Sequence, residues 1–344
     1  TFNAKGRRTR GARMLAVVTL RPGEQGRHYR LATERDYEGV RKAQARLAAI
    51  LGEWERGGKL GLCPVPDEPL PPIGTLGFRV QRYGMLQWGD LFTARQKVAL
   101  LKMGQLMASV DTIARPLLLA LGKLADLSND ACPWEPIAEC PRNVLSNGRI
   151  KPPWDFAEGV PISEASGSFA VCLENLASGV DSVKGVSHPA HCQLAAAQSS
   201  PLPSESAHVW FTDPPYYDAI PYADLSDFFF VWYRRVLPEG ISRDPFDPEN
   251  PLTPKGLEAI HDETKQVDGR VKDKTFFEDA MADSFSDGCR VVREDGVACV
   301  VFAHKTTEGW EALLSGMIRG GWTITGSWPI ATEMAHRLRA RESA

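Results

Sequence analysis

Apolar residues recur along the chain in two rhythms. Between residues 34 and 55 they are spaced three or four apart, as on one face of a helix, and Gly57 and Gly58 follow where that helix would end. In the second half, short apolar runs alternate with helical spacing. The predicted helices are 34–55, 93–114, 116–127, one through 169–176, 222–236, one through 277–292 and one through 310–318, and the predicted strands are 14–20, 29–32, 208–211, 297–302 and 322–328.

Strands that alternate with helices favour an α/β fold with a doubly wound, mostly parallel, Rossmann-like sheet. We expect this sheet within 163–344, including a long polar loop at 238–274 that is either a DNA-reading loop or a disordered connector. The earlier segments are predicted to be an N-terminal strand and helix region at 1–70 and a helical cover with an irregular insertion at 71–162. The N-terminal half is thus an α+β and helical region placed before the sheet.

Composition narrows the class of protein. The 344 residues are 43% hydrophobic and 24% charged, which indicates a folded chain. The formal net charge is -3, so any contact with DNA must come from local patches. We find no apolar run of bilayer length and no signal peptide, and we expect a cytoplasmic protein without a membrane partner. The seven cysteines form no C-x-x-C pair, and His188, His191 and Cys192 are too crowded for zinc, so no metal is predicted.

A short polar turn, Thr212–Tyr216, stands between an apolar run and an amphipathic helix. Pro214 and Pro215 fix their own φ, hold Asp213 extended and offer no N–H donor. The turn therefore presents acceptors, the Asp213 carboxylate and nearby backbone carbonyls, beside the flat ring of Tyr216. Acceptors for both N–H groups of an exocyclic amine free its lone pair for attack on a methyl group, and a flipped base would stack on the tyrosine. An ordinary Pro-rich turn is the alternative.

Asp-Pro-Pro-Tyr after an apolar strand resembles the catalytic motif of S-adenosylmethionine-dependent amino-methyltransferases. With the residues at 212–218 and 221–229, the chain is similar to one branch, the large adenine-specific DNA methylases that carry a zinc ribbon. The chain also resembles the same branch at 77–84, 88–92, 95–96, 154–158, 302–305, 327–330 and 332–333, so the resemblance covers most of the chain. It implies a methyltransferase sheet, S-adenosyl-L-methionine as cofactor, adenine-containing duplex DNA as substrate, and a restriction-modification or defence role with partner proteins of such a system.

The resemblance implies catalytic roles for the four residues of the motif, Asp213, Pro214, Pro215 and Tyr216. Further substrate contacts are expected from neighbours of the motif and from the end of the next strand: Tyr217, Asp218, Tyr222, Asp224, His304 and Lys305. A lone histidine at a strand end is also often structural. The segment Trp154, Asp155 and Phe156 is either a cradle for the cofactor or an aromatic anchor for a long loop.

Other substrates keep the same chemistry. Cytosine N4, guanine N2 in RNA and a protein amide all present an amine, although Asp at position 213 favours adenine or RNA guanine. From another class, the chain could be a catalytically inactive DNA-binding or scaffold subunit.

One expected feature is missing from the sequence. A methylase needs a Gly-rich turn after its first strand to hold the cofactor, and no G-x-G follows an apolar strand in this chain. In the resembled branch that turn and the zinc ribbon lie upstream. The chain also begins at Thr1, and a further strand is expected after 327–330. We therefore expect an incomplete sheet, a fragment of the enzyme, and weak or no binding of S-adenosylmethionine to this chain alone.

Overall fold

The computed structural model describes residues 12–110, 114–186, 188, 190–238, 244 and 247–330. The chain divides into two compact units, the first comprising Thr1–Val186 and Asp224–Thr253 and the second Ser187–Ala223 and Pro254–Ala344. The helices are α1 Glu34–Arg56, α2 Ala94–Ala108, α3 Ala114–Leu127, α4 Phe169–Ser182, α5 Tyr222–Tyr233, α6 Lys274–Val291 and α7 Thr307–Arg319. The strands are β1 Ala16–Thr19, β2 His28–Leu31, β3 Trp134–Glu135, β4 Cys140–Pro141, β5 Ala207–Thr212, β6 Asp262–Val267, β7 Arg270–Lys272 and β8 Val292–Val300.

Local sequence signals account for the ends of the first helices. At α2 the predicted capping box is confirmed, because the Gln96 amide donates to the Thr93 hydroxyl (3.3 Å) and the Thr93 amide donates to the Gln96 side chain (2.8 Å). This helix ends at Ala108, earlier than predicted.

The predicted N-terminal strand pair is also confirmed, with β1 and β2 antiparallel. Residues 1–14 carry five basic side chains and no acid, which predicts either a solvated arm or one that contacts phosphates, and most of this arm lies outside the described residues.

Aromatic packing forms the core of the first unit. Phe92 stacks on Phe228 of α5 with 5.7 Å between ring centroids, and its edge contacts Trp232 at 5.2 Å. The apolar stripe predicted for α5 is therefore buried as expected. Its acidic residues depart from the prediction of a polar face, because Asp224 and Asp227 are buried as well. Asp227 accepts hydrogen bonds from the amide and hydroxyl of Thr253, at 2.9 and 2.6 Å, which satisfy one oxygen of the buried carboxylate, Oδ1.

The second unit is built on a two-stranded parallel sheet. Strand β5 pairs with β8 so that Val209 lies beside Val297 and Thr212 beside Val300. On one face, Trp210 packs its ring against Phe285 of α6, at 5.5 Å between centroids. This face covers a core shared by α6, α7 and the turn after β5: Tyr217, Phe277, Met281, Phe285, Ala312 and Leu313. The second unit is thus α/β, with helices packed on a parallel pair.

The opposite face of the same sheet is largely exposed in the part of the chain that the structure describes. Alternation along the strands places Val209, Phe211, Val297 and Cys299 on it, and the first three are 57%, 67% and 61% exposed. The prediction of fully buried strands is wrong for this face. Parallel sheets are normally covered on both sides, so this face is apolar without the packing that such a surface usually receives.

Two predicted elements are corrected. Residues 322–328 form no strand: the Trp322 indole instead stacks on Trp210, at 5.8 Å, and donates to the Phe285 carbonyl, at 2.8 Å. The predicted loop at 238–274 contains the antiparallel hairpin of β6 and β7, while 239–243 and 245–246 lie outside the described residues. Among the described residues, the parallel sheet therefore has two strands, and their pairing does not establish a doubly wound sheet. Within that part, no helix has both the length and the apolar character needed to cross a bilayer.

Candidate active site

The turn after β5 and the segment after β8 leave the sheet at the same edge. The Val301 amide donates to the Thr212 carbonyl, at 2.9 Å, and so extends the parallel pairing to the last residue of β5. This confirms the prediction that His304 and Lys305 lie on the edge that carries Asp213. In parallel sheets the carboxyl ends of the strands are where ligands bind.

The turn itself presents unpaired acceptors. Asp213 is exposed, Pro214 is buried and Pro215 is half-buried. Amides of the turn donate to the carbonyls of Pro215 (3.1 Å) and Tyr216 (2.7 Å). Within the described chain, the Asp213 carboxylate and the carbonyls of Asp213 and Pro214 accept no hydrogen bond. The acceptor cluster expected from the two prolines is therefore present.

The ring of Tyr216 is held by an aromatic neighbour from the second strand. Tyr216 is half-buried, and its ring meets Phe302 edge to face, with 5.7 Å between centroids and 87° between planes. Phe302 in turn stacks on the His304 ring at 6.1 Å. These contacts fix the plane of the tyrosine next to the acceptors.

Tyr217 does not have the substrate contact predicted for it. Its side chain is 3% exposed, and its ring packs on Phe277 and His261, at 5.1 and 4.8 Å between centroids. Its hydroxyl donates to Glu308, at 3.3 Å. Burial, and then the charge of Glu308, raise the pKa of Tyr217. Its φ of 39° is in the left-handed region that non-glycine residues avoid, so the turn holds a strained residue beside the motif.

His304 and Asp218 bind each other. The His304 side chain is 7% exposed, and its Nε2 lies 3.3 Å from the Asp218 carboxylate. The Thr306 amide donates to Nδ1, at 3.2 Å, which makes Nδ1 an acceptor and leaves the proton on Nε2 towards Asp218. Both ring nitrogens are therefore used within the protein. This contradicts a direct substrate contact for His304 and makes it a residue that positions Asp218, which remains exposed, as Lys305 does.

The start of α5 is fixed from the hairpin segment. The Ala223 amide donates to the Glu258 carboxylate, at 2.8 Å. Tyr222 is 43% exposed, and partial burial, followed by the charges of Asp213 and Glu258, raises the pKa of its hydroxyl. Tyr222 therefore remains accessible near the acceptors, and its contact with substrate stays a prediction. Asp224 is buried, which contradicts its predicted contact with substrate.

A buried lysine organises the segment that carries Glu258. Lys272 is 1% exposed, and its ammonium donates to the backbone carbonyls of Lys255 and Glu258, at 2.6 Å each. These bonds satisfy the buried charge and fix the backbone at Glu258. The contacts thus run from Lys272 through Glu258 to the residues that follow the motif.

Comparison with known proteins adds no relative. No family model, no curated protein and no solved structure matches the chain. Among the residues that the structure describes, no group of three or more His, Cys, Asp or Glu side chains could hold a metal ion. The function of the chain is therefore inferred from the geometry of the turn.

The residues present do not fit S-adenosylmethionine. Trp154 is fully exposed, Asp155 is exposed and Phe156 is half-buried, so they form neither the predicted cradle nor the alternative aromatic anchor. None of the described strands leads into a G-x-G turn that could approach a cofactor. The residues that are present therefore bear on the amine that receives the methyl group and not on the cofactor.

Sequence reasoning missed three residues that shape the site. Phe302 had a weak signal, because it ends a predicted strand that was expected to reach the same edge. Glu258 and Lys272 had none, since they lie in a polar stretch without periodicity and acquire their roles only through contacts made in the folded chain.

Proposed function

We propose that this chain carries the catalytic turn of an S-adenosylmethionine-dependent methyltransferase that acts on the exocyclic N6 amine of adenine in DNA. One observation carries the proposal: the Asp213 carboxylate and the Pro214 carbonyl are acceptors without a hydrogen-bond partner in the described chain, at the carboxyl end of a parallel strand. The ring of Tyr216 lies next to them. The resemblance of the motif to adenine methylases, in restriction-modification or defence systems of the cytoplasm, supports the choice of substrate.

The proposed chemistry is positional and electrostatic. The two N–H groups of the amine donate to the Asp213 carboxylate and the Pro214 carbonyl. Both acceptors draw the nitrogen away from conjugation with the ring and direct its lone pair outward. The proline nitrogens carry no hydrogen, so no backbone donor at these positions competes for the acceptors.

The base reaches the turn by leaving the DNA helix, at a cost of a few kcal/mol that stacking partly offsets. Tyr216 supplies the stacking surface, and its contact with Phe302 holds the ring in one plane before the base arrives. S-adenosylmethionine supplies the methyl group when bound.

The test is transfer of labelled methyl groups to unmethylated DNA by the protein expressed from its complete reading frame, followed by digestion to nucleosides. N6-methyladenine is the expected product. Asp213→Asn removes the charged acceptor and should lower the rate by about 10²–10³-fold, the usual effect of removing one preorganised group. Asp295→Asn is the matched control, since Asp295 is exposed at the opposite end of β8 and should leave the rate unchanged.

Two other outcomes would redirect or overturn the proposal. A labelled guanine in RNA, a labelled cytosine or a labelled protein amide would keep the chemistry and change the substrate. DNA binding without transfer to any nucleic acid or protein would identify a scaffold and refute an enzymatic role.

A further inference from the structure

The first unit contains a cleft of its own. Its volume is about 610 Å³, within the range of small-molecule sites. None of its residues belongs to the motif at 213–216. The cleft is lined by α3, by α5 and by two residues outside them: Leu119, Gly122, Lys123, Asp126, Asn143, Ser226, Phe229, Phe230, Tyr233 and Thr253.

One wall of the cleft is an aromatic shelf formed by Phe229 and Tyr233. These residues are one turn apart on α5, and their rings are nearly parallel, with 6.4 Å between centroids and 28° between planes. Gly122 of α3 allows this arrangement, because a Cβ at that position would overlap the Tyr233 hydroxyl. The close approach of the two helices thus fixes the orientation of the shelf, and both rings are half-buried.

The shelf ends in a polar group that the described protein does not use. The Tyr233 hydroxyl has no hydrogen-bond partner among the described residues, and burial raises the pKa of Tyr233 to about 12. It is therefore a neutral phenol that can donate or accept a hydrogen bond. A flat ring lying on the shelf would bring its polar edge to this hydroxyl.

The rim of the cleft carries a lysine. Lys123 is exposed, follows Gly122 on α3 and forms no salt bridge within the described chain. The Asp126 carboxyl, which also lines the cleft, accepts a hydrogen bond from the Leu145 amide at 3.2 Å, and burial raises the pKa of Asp126. A ligand in the cleft thus meets a lysine, a carboxyl group bonded to the Leu145 amide, an aromatic shelf and a phenol.

We propose that this cleft binds a nucleotide, with the nucleobase stacked on Phe229 and Tyr233 and the phosphate at Lys123. Stacking on aromatic side chains with a nearby cation is how proteins hold unpaired bases irrespective of sequence. The inference is independent of methyl transfer, since it uses none of the residues of the catalytic turn. The same chemistry is offered by a free nucleotide and by a nucleotide within a single strand.

The experiment measures binding of AMP, adenosine and a single-stranded oligodeoxyadenylate to the full chain by calorimetry. AMP should bind at least about fivefold more tightly than adenosine, because only AMP carries the phosphate. Lys123→Gln should abolish that ratio. Lys102→Gln, the same change at an exposed position of α2 outside the cleft, should preserve it. Phe229→Leu should weaken all three probes about fivefold or more through lost stacking.

The two sources are distinguished by the probes themselves. Tighter binding of AMP assigns the cleft to free nucleotides, whereas tighter binding of the oligodeoxyadenylate assigns it to a single strand. The proposal is overturned if no probe binds, or if Lys102→Gln changes the AMP ratio as much as Lys123→Gln. Because Lys123 is exposed, its variant should fold normally, and circular dichroism of Phe229→Leu shows whether lost affinity reflects lost structure.

Discussion

Replacement of Lys272 by methionine should loosen the segment that contacts the start of α5, next to the proposed catalytic turn. Its buried ammonium donates to the carbonyls of Lys255 and Glu258, at 2.6 Å each, and the Glu258 carboxylate accepts from Ala223 at the start of α5. Lys272→Met keeps the length and nearly the volume of the side chain. The change therefore removes the charge and its hydrogen bonds while leaving the packing in place.

The expected loss follows from opposing terms. A hydrogen bond to a charged group contributes about 1.5–3 kcal/mol, and two are lost. Lys255 and Glu258 are half-buried, so water can replace part of what their carbonyls lose. Removing a buried charge also recovers its desolvation penalty. We expect a net loss of about 2 kcal/mol in the local unfolding free energy.

Native-state hydrogen exchange read by mass spectrometry measures this local free energy. Amides at 222–226 and 255–272 should exchange about 30-fold faster in Lys272→Met, since about 1.4 kcal/mol corresponds to a factor of ten. Lys102→Met is the control, because Lys102 is exposed on α2 and lies outside this segment, and we expect less than about a threefold change. Equal exchange in the two variants, or no change at 222–226, would refute the supporting role of Lys272.

Three other predictions concern thiols, acid stability and the cofactor. Burial raises the pKa of Cys132 to about 12 and that of Cys172 to about 11, so both should resist alkylation at about pH 8 while the exposed thiols react, as peptide mass spectrometry can check: Cys192, Cys289 and Cys299. Hydrogen bonds from Arg319 and then Arg270 lower the pKa of Asp279, so its contribution is present above about pH 3.9 and is lost as the pH falls through its folded value. Asp279→Asn should lower the unfolding free energy measured with urea near neutrality by less than about 1 kcal/mol, with the difference vanishing in acid. Calorimetry with S-adenosylmethionine should detect weak or no binding to this chain, and tight binding would contradict the poor fit of Trp154–Phe156.

Elements with local signals were predictable. The period of apolar residues gave α1 to within one residue of its end, and the Thr93 and Gln96 pair gave the start of α2, because both depend on neighbours within a helical turn. The order of strand, turn and helix around Asp213 was predictable for the same reason. So was the common edge of β5 and β8, since parallel strands end on one side of a sheet.

Features that depend on distant contacts were not predictable. Two tyrosines stand together, Tyr216 and Tyr217, and the sequence does not indicate which ring turns inward. The left-handed φ of Tyr217 places its ring in the core. Asp227 lies off the apolar stripe of α5 and is buried because Thr253, far along the chain, covers it. Residues 322–328 have the composition of a strand, but Trp322 packs on Trp210 instead. A strand needs a partner edge, which composition alone does not supply.

The largely exposed face of β5 and β8 limits how the chain can be handled. Phe211, Val209 and Val297 offer water a contiguous apolar surface, and each strand has one edge that is unpaired within the described chain. Such surfaces and edges promote self-association. Covering even about 200 Å² of apolar surface contributes about 5 kcal/mol of favourable free energy, so self-association is favoured as the protein is concentrated. Self-association should therefore increase steeply in salting-out buffers and decrease on dilution. Titrations are best performed on dilute samples monitored by light scattering.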